Sequence, residues 1–151
     1  MIKICFVCLG NICLSPMAEF MMKKKLNDLN ILDNFYITSR ATSYEEQGND
    51  IYRKAKEKLE EKLIPVGRHC ATRLEKEDYE KYDYFICMEK RNIQNTIRIL
   101  ENNDPNKIFC LLDIKENPKD IADPWYTNNF EETYNDLDKG LDKLIELLNK
   151  K

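Results

Sequence analysis

The chain contains 151 residues, of which 42% are hydrophobic and 34% are charged. This length and composition predict one compact domain over residues 1–151, large enough to bury its own core. The net charge is −3, with lysines and glutamates interspersed, which argues against a nucleic-acid-binding surface. The N-terminus lacks a basic segment followed by a long apolar one. We therefore expect neither a signal peptide nor a membrane span, and a cytoplasmic protein.

Apolar runs and amphipathic segments alternate along the chain and predict alternating strands and helices. In order, we expect a strand at residues 2–7, a helix at 16–29, a strand at 34–38, a helix at 50–63, a short helix at 78–81, a strand at 82–88, a helix on Ile93, Ile97 and Leu100, a strand at 107–112 and a helix at 130–149. The second helix should bury Ile51, Ala55, Leu59 and Leu63. This alternation is typical of an α/β fold with an open, parallel four-stranded sheet and helices on both faces.

In such a sheet the ligand binds beyond the carboxyl ends of the strands. The loop that follows the first predicted strand reads Cys8-Leu9-Gly10-Asn11-Ile12-Cys13-Leu14-Ser15. Gly10 and Asn11 tolerate positive φ angles, so the loop can turn its N–H groups inward around an anion. Pro16 suits a first helical position and Ser15 suits the cap. A thiolate in this setting is stabilised by the helix dipole, which makes Cys8 the candidate nucleophile with a lowered pKa.

The six cysteines lie mostly in apolar, strand-like segments, a pattern typical of a reduced cytosolic protein. They are Cys5, Cys8, Cys13, Cys70, Cys87 and Cys110. The ordinary interpretation of Cys8 and Cys13 is that they are small buried residues. However, both sulfurs would lie on one small loop and could meet on oxidation. We predict no metal site and no cofactor.

The segment from residue 113 to residue 129 lacks clear periodicity and contains Asp123-Pro124-Trp125-Tyr126. Long ordered loops in compact domains are commonly functional. Pro124 restricts Asp123 to extended conformations and so fixes the direction of its carboxyl group. One carboxyl group beside a nucleophile can protonate a leaving group and later activate water. The alternatives are a simple Asp-Pro turn and a Trp125 that packs against a neighbouring helix.

Together these segments resemble the low-molecular-weight protein-tyrosine phosphatases, a family related to arsenate reductases. The family signature is a cysteine, five residues, an arginine and then Ser-Pro, close to the N-terminus. Cys8 and Ser15-Pro16 match this signature, whereas Leu14 stands where the family has its arginine. The resemblance covers nearly the whole chain. It implies a metal-free phosphatase in which Cys8 forms a phosphocysteine, and Asp123 protonates the leaving phenolate and then activates water.

The resemblance also implies how a substrate is held. Backbone N–H groups of the loop would bind phosphate, at Leu9, Gly10, Asn11, Ile12, Cys13, Leu14 and Ser15. Trp125 and Tyr126 would line the pocket and stack on the aromatic ring, with Tyr44 and Glu45 facing the substrate nearby. The implied substrates are phosphotyrosine proteins or aryl phosphates, the implied product is inorganic phosphate, and the implied assembly state is a monomer.

Three further residues receive roles by the same resemblance. Ser39 and His69, the only histidine, would brace the loop together with its own polar side chains. Cys13 would protect Cys8 through a reversible disulfide, unless it merely packs. Independently of the resemblance, Arg40, just after the second predicted strand, is a basic residue that could lend charge to the anion site.

Leu14 decides between the possible activities. A guanidinium offers a planar fork to two phosphate oxygens, and no neutral side chain replaces it. We therefore expect a strongly impaired phosphatase. The alternatives are a pseudophosphatase that only binds phosphorylated ligands, an otherwise normal enzyme inactivated by Leu14, and an arsenate reductase that relays a disulfide through Cys70 and Cys87.

Overall fold

A computed structural model describes residues 1–114 and 120–149 of the chain. Four parallel strands form one open sheet in the order β2-β1-β3-β4. The strands are β1 at Ile2–Cys8, β2 at Phe35–Ala41, β3 at Tyr84–Cys87 and β4 at Ile108–Cys110. The predicted parallel four-stranded sheet is confirmed.

Five α-helices accompany the sheet in the described residues. They are α1 at Leu14–Asp28, α2 at Arg53–Glu61, α3 at Lys90–Leu100, the one-turn α4 at Pro124–Thr127 and α5 at Phe130–Asn149. Short 3₁₀ helices cover Leu32–Asn34, Lys76–Lys81 and Leu111–Ile114. No helix in residues 1–114 or 120–149 is long and apolar enough to cross a membrane.

Most element boundaries lie close to the predicted ones, and two differences are informative. Helix α2 ends at Glu61, and Leu63 has a left-handed φ of 59° and is 82% exposed. The prediction that Leu63 packs inward is therefore wrong; the chain turns after the helix, and Ile64 is buried instead. The segment from residue 113 to residue 129, predicted as a long ordered loop, contains α4, while its residues 115–119 lie outside the described part of the chain.

The two faces of the sheet bury separate apolar clusters because side chains alternate along β1. Ile4 and Phe6 pack with the cluster that includes α1, α2 and α5. Cys5 and Val7 pack with the cluster that includes residues of α3. Helices thus cover both faces, as predicted.

The strand order places the start of α1 at a reversal in the chain path. The connection from β1 leads to β2 on one side, whereas β3 pairs with β1 on the other side. Loops that follow β1 and β3 therefore open at the same edge of the sheet. This is the position where open α/β sheets bind ligands.

Candidate active site

Hydrogen bonds to Asn11 hold the loop between β1 and α1. Asn11 is fully buried with a φ of 60°, a left-handed conformation that asparagine tolerates better than most residues. Its backbone oxygen lies 2.6 Å from Nε2 of His69, and its Oδ1 accepts the Thr72 N–H at 3.1 Å. Its Nδ2 donates to Oγ of Ser15 at 2.8 Å. The side chain of Asn11 therefore connects the loop to α1 and to the segment at residue 72.

Helix α1 begins earlier than the sequence predicts, and this changes the role of Ser15. Cys13 occupies the N-cap position, its side chain makes no capping hydrogen bond, and its carbonyl accepts the N–H of Met17. The expected Ser15 cap is therefore wrong, because Ser15 lies inside the first turn. Its hydroxyl is left to interact with the thiol of Cys8.

The Cys8 thiol is 5% exposed and lies at the base of the loop. Its Sγ is 2.9 Å from Oγ of Ser15 and accepts the Asn11 N–H at 3.2 Å. Burial raises the pKa of the Cys8 thiol above its ordinary value, the hydrogen bonds from Ser15 and Asn11 lower it, and the charge of Asp123 raises it. Burial outweighs the hydrogen bonds, so the expected lowering of this pKa is not found.

Asp123 forms the N-cap of α4, where a hydrogen bond to its side chain and the following proline fix its position. Its Oδ1 accepts the N–H of Trp125 at 3.0 Å, and Pro124 occupies the first turn of the helix. Its backbone is extended, with φ −79° and ψ 112°, as its position before proline predicts. Its Oδ2 lies 3.7 Å from Nη2 of Arg91. Oδ1 of Asp123 thus caps the helix, whereas Oδ2 faces the guanidinium of Arg91.

Cys8 and Asp123 line one cavity of about 180 Å³. The remaining lining residues are Leu9, Gly10, Asn11, Ile12, Cys13, Leu14, Glu45, Glu46, Glu89, Arg91, Trp125 and Tyr126. Trp125 and Tyr126 are exposed, and Trp125 also contacts Tyr52 edge-on at 5.3 Å. An apolar wall with a thiol and a carboxylate can accept a flat aromatic group next to an anion.

Two residues expected at this site lie elsewhere. Tyr44 does not line the cavity; its hydroxyl donates to Glu75 at 3.0 Å, and the guanidinium of Arg73 lies 4.6 Å from its ring centre. Ser39 donates to Oε1 of Glu19 on α1 at 2.7 Å, rather than to a residue of the loop. The contacts of Arg73 and Glu19 thus explain both differences.

The described residues offer no ready metal site. In residues 1–114 and 120–149, no three His, Cys, Asp or Glu side chains come together in an arrangement that could hold an ion.

A model of the family described as low molecular weight phosphotyrosine protein phosphatase matches residues 3–151. The chain belongs to this family. The protein-tyrosine-phosphatase PtpA of Staphylococcus saprophyticus is 38% identical over 149 residues, which cover 98% of this chain and 94% of PtpA. The family predicted from the loop and the Asp-Pro segment is thus confirmed, and with it a phosphatase of the hydrolase class.

Solved structures agree with this assignment. The low molecular weight protein tyrosine phosphatase of Streptococcus pyogenes matches with a TM-score of 0.87 and 38% identity, covering 98% of this chain and 93% of that one. YfkJ from Bacillus subtilis matches with a TM-score of 0.94 and 30% identity, covering 99% and 96%. The described residues of this phosphatase therefore have the fold of its family.

Leu14 of this phosphatase lies between the apolar core and the cavity. Leu14 is the first residue of α1, is 2% exposed and packs in the larger apolar cluster while lining the cavity. No residue of the loop from Leu9 to Ser15 carries a charged side chain. The phosphate-binding loop therefore offers N–H groups and the Ser15 hydroxyl, but no cation.

Sequence reasoning missed three charged residues of the cavity, namely Glu46, Glu89 and Arg91. Glu89 and Arg91 directly follow β3, so the rule that ligands bind at the carboxyl ends of strands could have identified them. Arg40, the basic residue singled out from sequence, does not line the cavity, and its Nη1 donates to the carbonyl of Ser39 at 2.7 Å. Among the described residues that line the cavity, the cation is Arg91 instead.

Proposed function

We propose that this chain is a cysteine-dependent protein-tyrosine phosphatase that turns over slowly because Leu14 replaces the signature arginine. The observation that carries the proposal is the shared cavity of Cys8 and Asp123, a nucleophile and a proton donor at one site. Burial is the main cause that raises the pKa of the Cys8 thiol, and the charge of Asp123 adds to it, so the two groups lie within electrostatic reach of each other. The family assignment supplies the reaction class.

In the first step, the Cys8 thiolate attacks phosphorus and forms an S–P bond while the bond from phosphorus to the phenolic oxygen breaks. Asp123 gives its proton to the departing phenolate. In the second step, Asp123 takes a proton from water, whose oxygen attacks phosphorus and breaks the S–P bond. Inorganic phosphate leaves, and both residues return to their starting states.

The loop stabilises the transferring phosphoryl group through backbone N–H groups of Leu9, Gly10, Asn11, Ile12, Cys13, Leu14 and Ser15. Trp125 and Tyr126 lie at the mouth of the cavity, where a phenyl ring attached to this phosphoryl group would stack. Glu45 lines the same mouth and would contact the substrate next to the ring.

The proposal has corollaries for partners, surroundings and assembly. The substrates are phosphotyrosine proteins or aryl phosphates, and no metal, cofactor, nucleic acid or membrane takes part. The enzyme acts as a monomeric single domain in the cytoplasm, where its six unpaired cysteines remain reduced. Cys13 protects Cys8 through a disulfide under oxidation, since both residues line the cavity. Burial raises the pKa of Cys13 to about 12, so the thiol does not compete as a nucleophile at neutral pH.

A second candidate function is that of a pseudophosphatase that binds phosphorylated ligands without turnover. Two observations favour it: the loop has no cationic side chain, and the pKa of the Cys8 thiol is raised rather than lowered. The arsenate reductase alternative has less support. Cys87 is fully buried among residues of the α3 face, and Cys70 is exposed and does not line the cavity.

The test compares turnover with binding. Hydrolysis of a small aryl phosphate by the unmodified chain, with Cys8→Ser as the blank, should give slow release that depends on Cys8. Binding of a phosphotyrosine peptide is measured on the same two proteins. Peptide binding without any Cys8-dependent release would replace the enzyme by the pseudophosphatase.

A further inference from the structure

The charges around the cavity are unfavourable for a phosphate ester. Four carboxylates line it, at Glu45, Glu46, Glu89 and Asp123, and the described lining contains one cationic side chain, Arg91. A phosphoryl dianion adds two negative charges to this set. Because like charges close together repel strongly in a partly desolvated site, the ligand needs a compensating cation.

The guanidinium of Arg91 lies where it can supply this charge. Its Nη2 is 3.3 Å from Oε1 of Glu89 and 3.7 Å from Oδ2 of Asp123. It also interacts with the side chain of Tyr126, one of the two aromatic residues at the mouth. The guanidinium therefore adjoins the proton donor proposed for the leaving group and the ring proposed to stack on the substrate.

Arg91 can change partners without disturbing the fold. Its side chain is 45% exposed, and its ion pairs with Glu89 and Asp123 are long. The N-terminus of α3 is capped by the side chains of Glu89 and Asn92, not by Arg91. A cation in the first turn is disfavoured by the helix dipole, so helix stability does not explain this arginine.

We propose that Arg91 is the residue that supplies the missing positive charge and donates hydrogen bonds to the phosphoryl oxygens of the bound ester. This inference rests on the proposed function, because its ligand is a phosphate monoester. On binding, the guanidinium exchanges its long contacts with Glu89 and Asp123 for a forked contact with the phosphoryl group. The strand order β1-β3 makes this possible, since it brings the residues after β3 beside the loop after β1.

The experiment measures binding and turnover separately. Inorganic phosphate is titrated by calorimetry into the 151-residue chain and into Arg91→Ala, both carrying Cys8→Ser so that no turnover interferes. Loss of one charge-assisted interaction should weaken phosphate binding about 10-fold or more. Arg91→Lys should recover part of the affinity. Lys90→Ala, in the same helical turn but outside the cavity, is the matched control and should bind as the parent does.

Aryl phosphate hydrolysis with Cys8 intact gives the second readout. Arg91→Ala should raise KM, and in a Leu14→Arg background the same substitution should have a smaller effect, because the new guanidinium shares the role. Equal phosphate affinity of Arg91→Ala and Lys90→Ala overturns the assignment, as does an absence of phosphate binding by the parent. Phosphate binding that depends on Arg91, without any turnover, supports the role of Arg91 and refutes the proposed enzymatic function. Failure of the Arg91 proposal and failure of the proposed function are therefore distinguishable.

Discussion

Replacing Leu14 by arginine tests the central physical argument, that this phosphatase lacks one group rather than its whole machinery. The side chain at position 14 already lines the cavity from the first residue of α1. Neither Cys8 nor Asn11 nor Ser15 makes a hydrogen bond that needs this side chain. The substitution therefore adds a guanidinium to a loop whose shape is maintained by other residues.

The expected gain follows from two charge-assisted hydrogen bonds in a forked contact. At about 1.5–3 kcal/mol each, they stabilise the transition state by about 3–6 kcal/mol, or roughly 10²- to 10⁴-fold in kcat/KM. The cost is the lost burial of Leu14, about 1.5–3 kcal/mol of folding stability. The stem of the arginine recovers part of that loss by covering the same apolar surface. We expect a less stable protein that hydrolyses aryl phosphate about 10³-fold better.

The assay compares the unmodified chain, Leu14→Arg and Leu14→Lys, each with a Cys8→Ser blank. Lysine carries the charge without the planar fork, so its gain should be clearly smaller than that of arginine. Thermal melts identify any variant that has not folded. A folded Leu14→Arg chain that binds phosphate more tightly yet hydrolyses aryl phosphate no faster would refute the reasoning, because the defect would then lie elsewhere.

Three further predictions concern the thiols and the packing. Ser15→Ala removes a hydrogen bond to Cys8 and should shift the pH dependence of its alkylation by iodoacetamide upward by about one unit or more. Burial raises the pKa of Cys5 from 9.0 to about 12. Because this thiol ionises first in the unfolded chain, it lowers the free energy of unfolding above pH 9 by about 1.4 kcal/mol per pH unit. Cys5→Ala should reduce that loss in thermal melts up to pH 12. Gly140→Ala places a Cβ 2.9 Å from Cγ of Leu111, and overpacking of about 1–3 kcal/mol should outweigh the gain in helix propensity and lower the Tm.

Each of these three predictions has a control variant or a result that would contradict it. Ser43→Ala, which removes a hydroxyl outside the cavity, should leave the alkylation profile of Cys8 unchanged. An alkaline unfolding curve that is identical with and without Cys5 would contradict the burial argument. Gly48→Ala has open space around its Cβ but a φ of 88°, so a loss there reflects backbone strain rather than overpacking. A Gly140→Ala protein with an unchanged or higher Tm would show that the leucines move aside.

The fold could be predicted because apolar periodicity is a local property. Helix α5 has the predicted bounds, since its apolar face recurs every three to four residues along Phe130–Asn149. Strand β1 extends one residue beyond its prediction, to Cys8. Helix α1 begins two residues before Pro16, because the preceding turn is held by the Cys13 carbonyl and not by a side-chain cap. Helix ends depend on such single contacts, and sequence patterns do not reveal them.

Two sets of site residues were predicted: those that the chain itself holds together in the loop after β1, and Asp123, Trp125 and Tyr126, which the resemblance assigned to the site. Residues of the loop after β1 are neighbours in sequence, so their grouping required no knowledge of the sheet. Glu89 and Arg91 reach the same cavity because β3 pairs with β1, and strand order is a long-range property. Tyr44 was assigned to the pocket by resemblance, but its contacts with Arg73 and Glu75 turn it away. The charge of the site therefore depends on residues that the motif does not include.

The hydrogen bonds that maintain the loop do not depend on the side chain at position 14, where the family has its arginine. The bonds from His69 to Asn11, from Asn11 to Ser15 and from Ser15 to Cys8 maintain the loop without any side chain at position 14. A buried leucine there adds apolar contacts, which stabilise the fold, where a guanidinium would have to be desolvated. Under the proposed function, leucine at position 14 exchanges transition-state stabilisation for folding stability, a common trade-off at active sites. It also leaves the Cys8 thiol without a neighbouring cation in the loop that could offset burial, which is the main cause of its raised pKa.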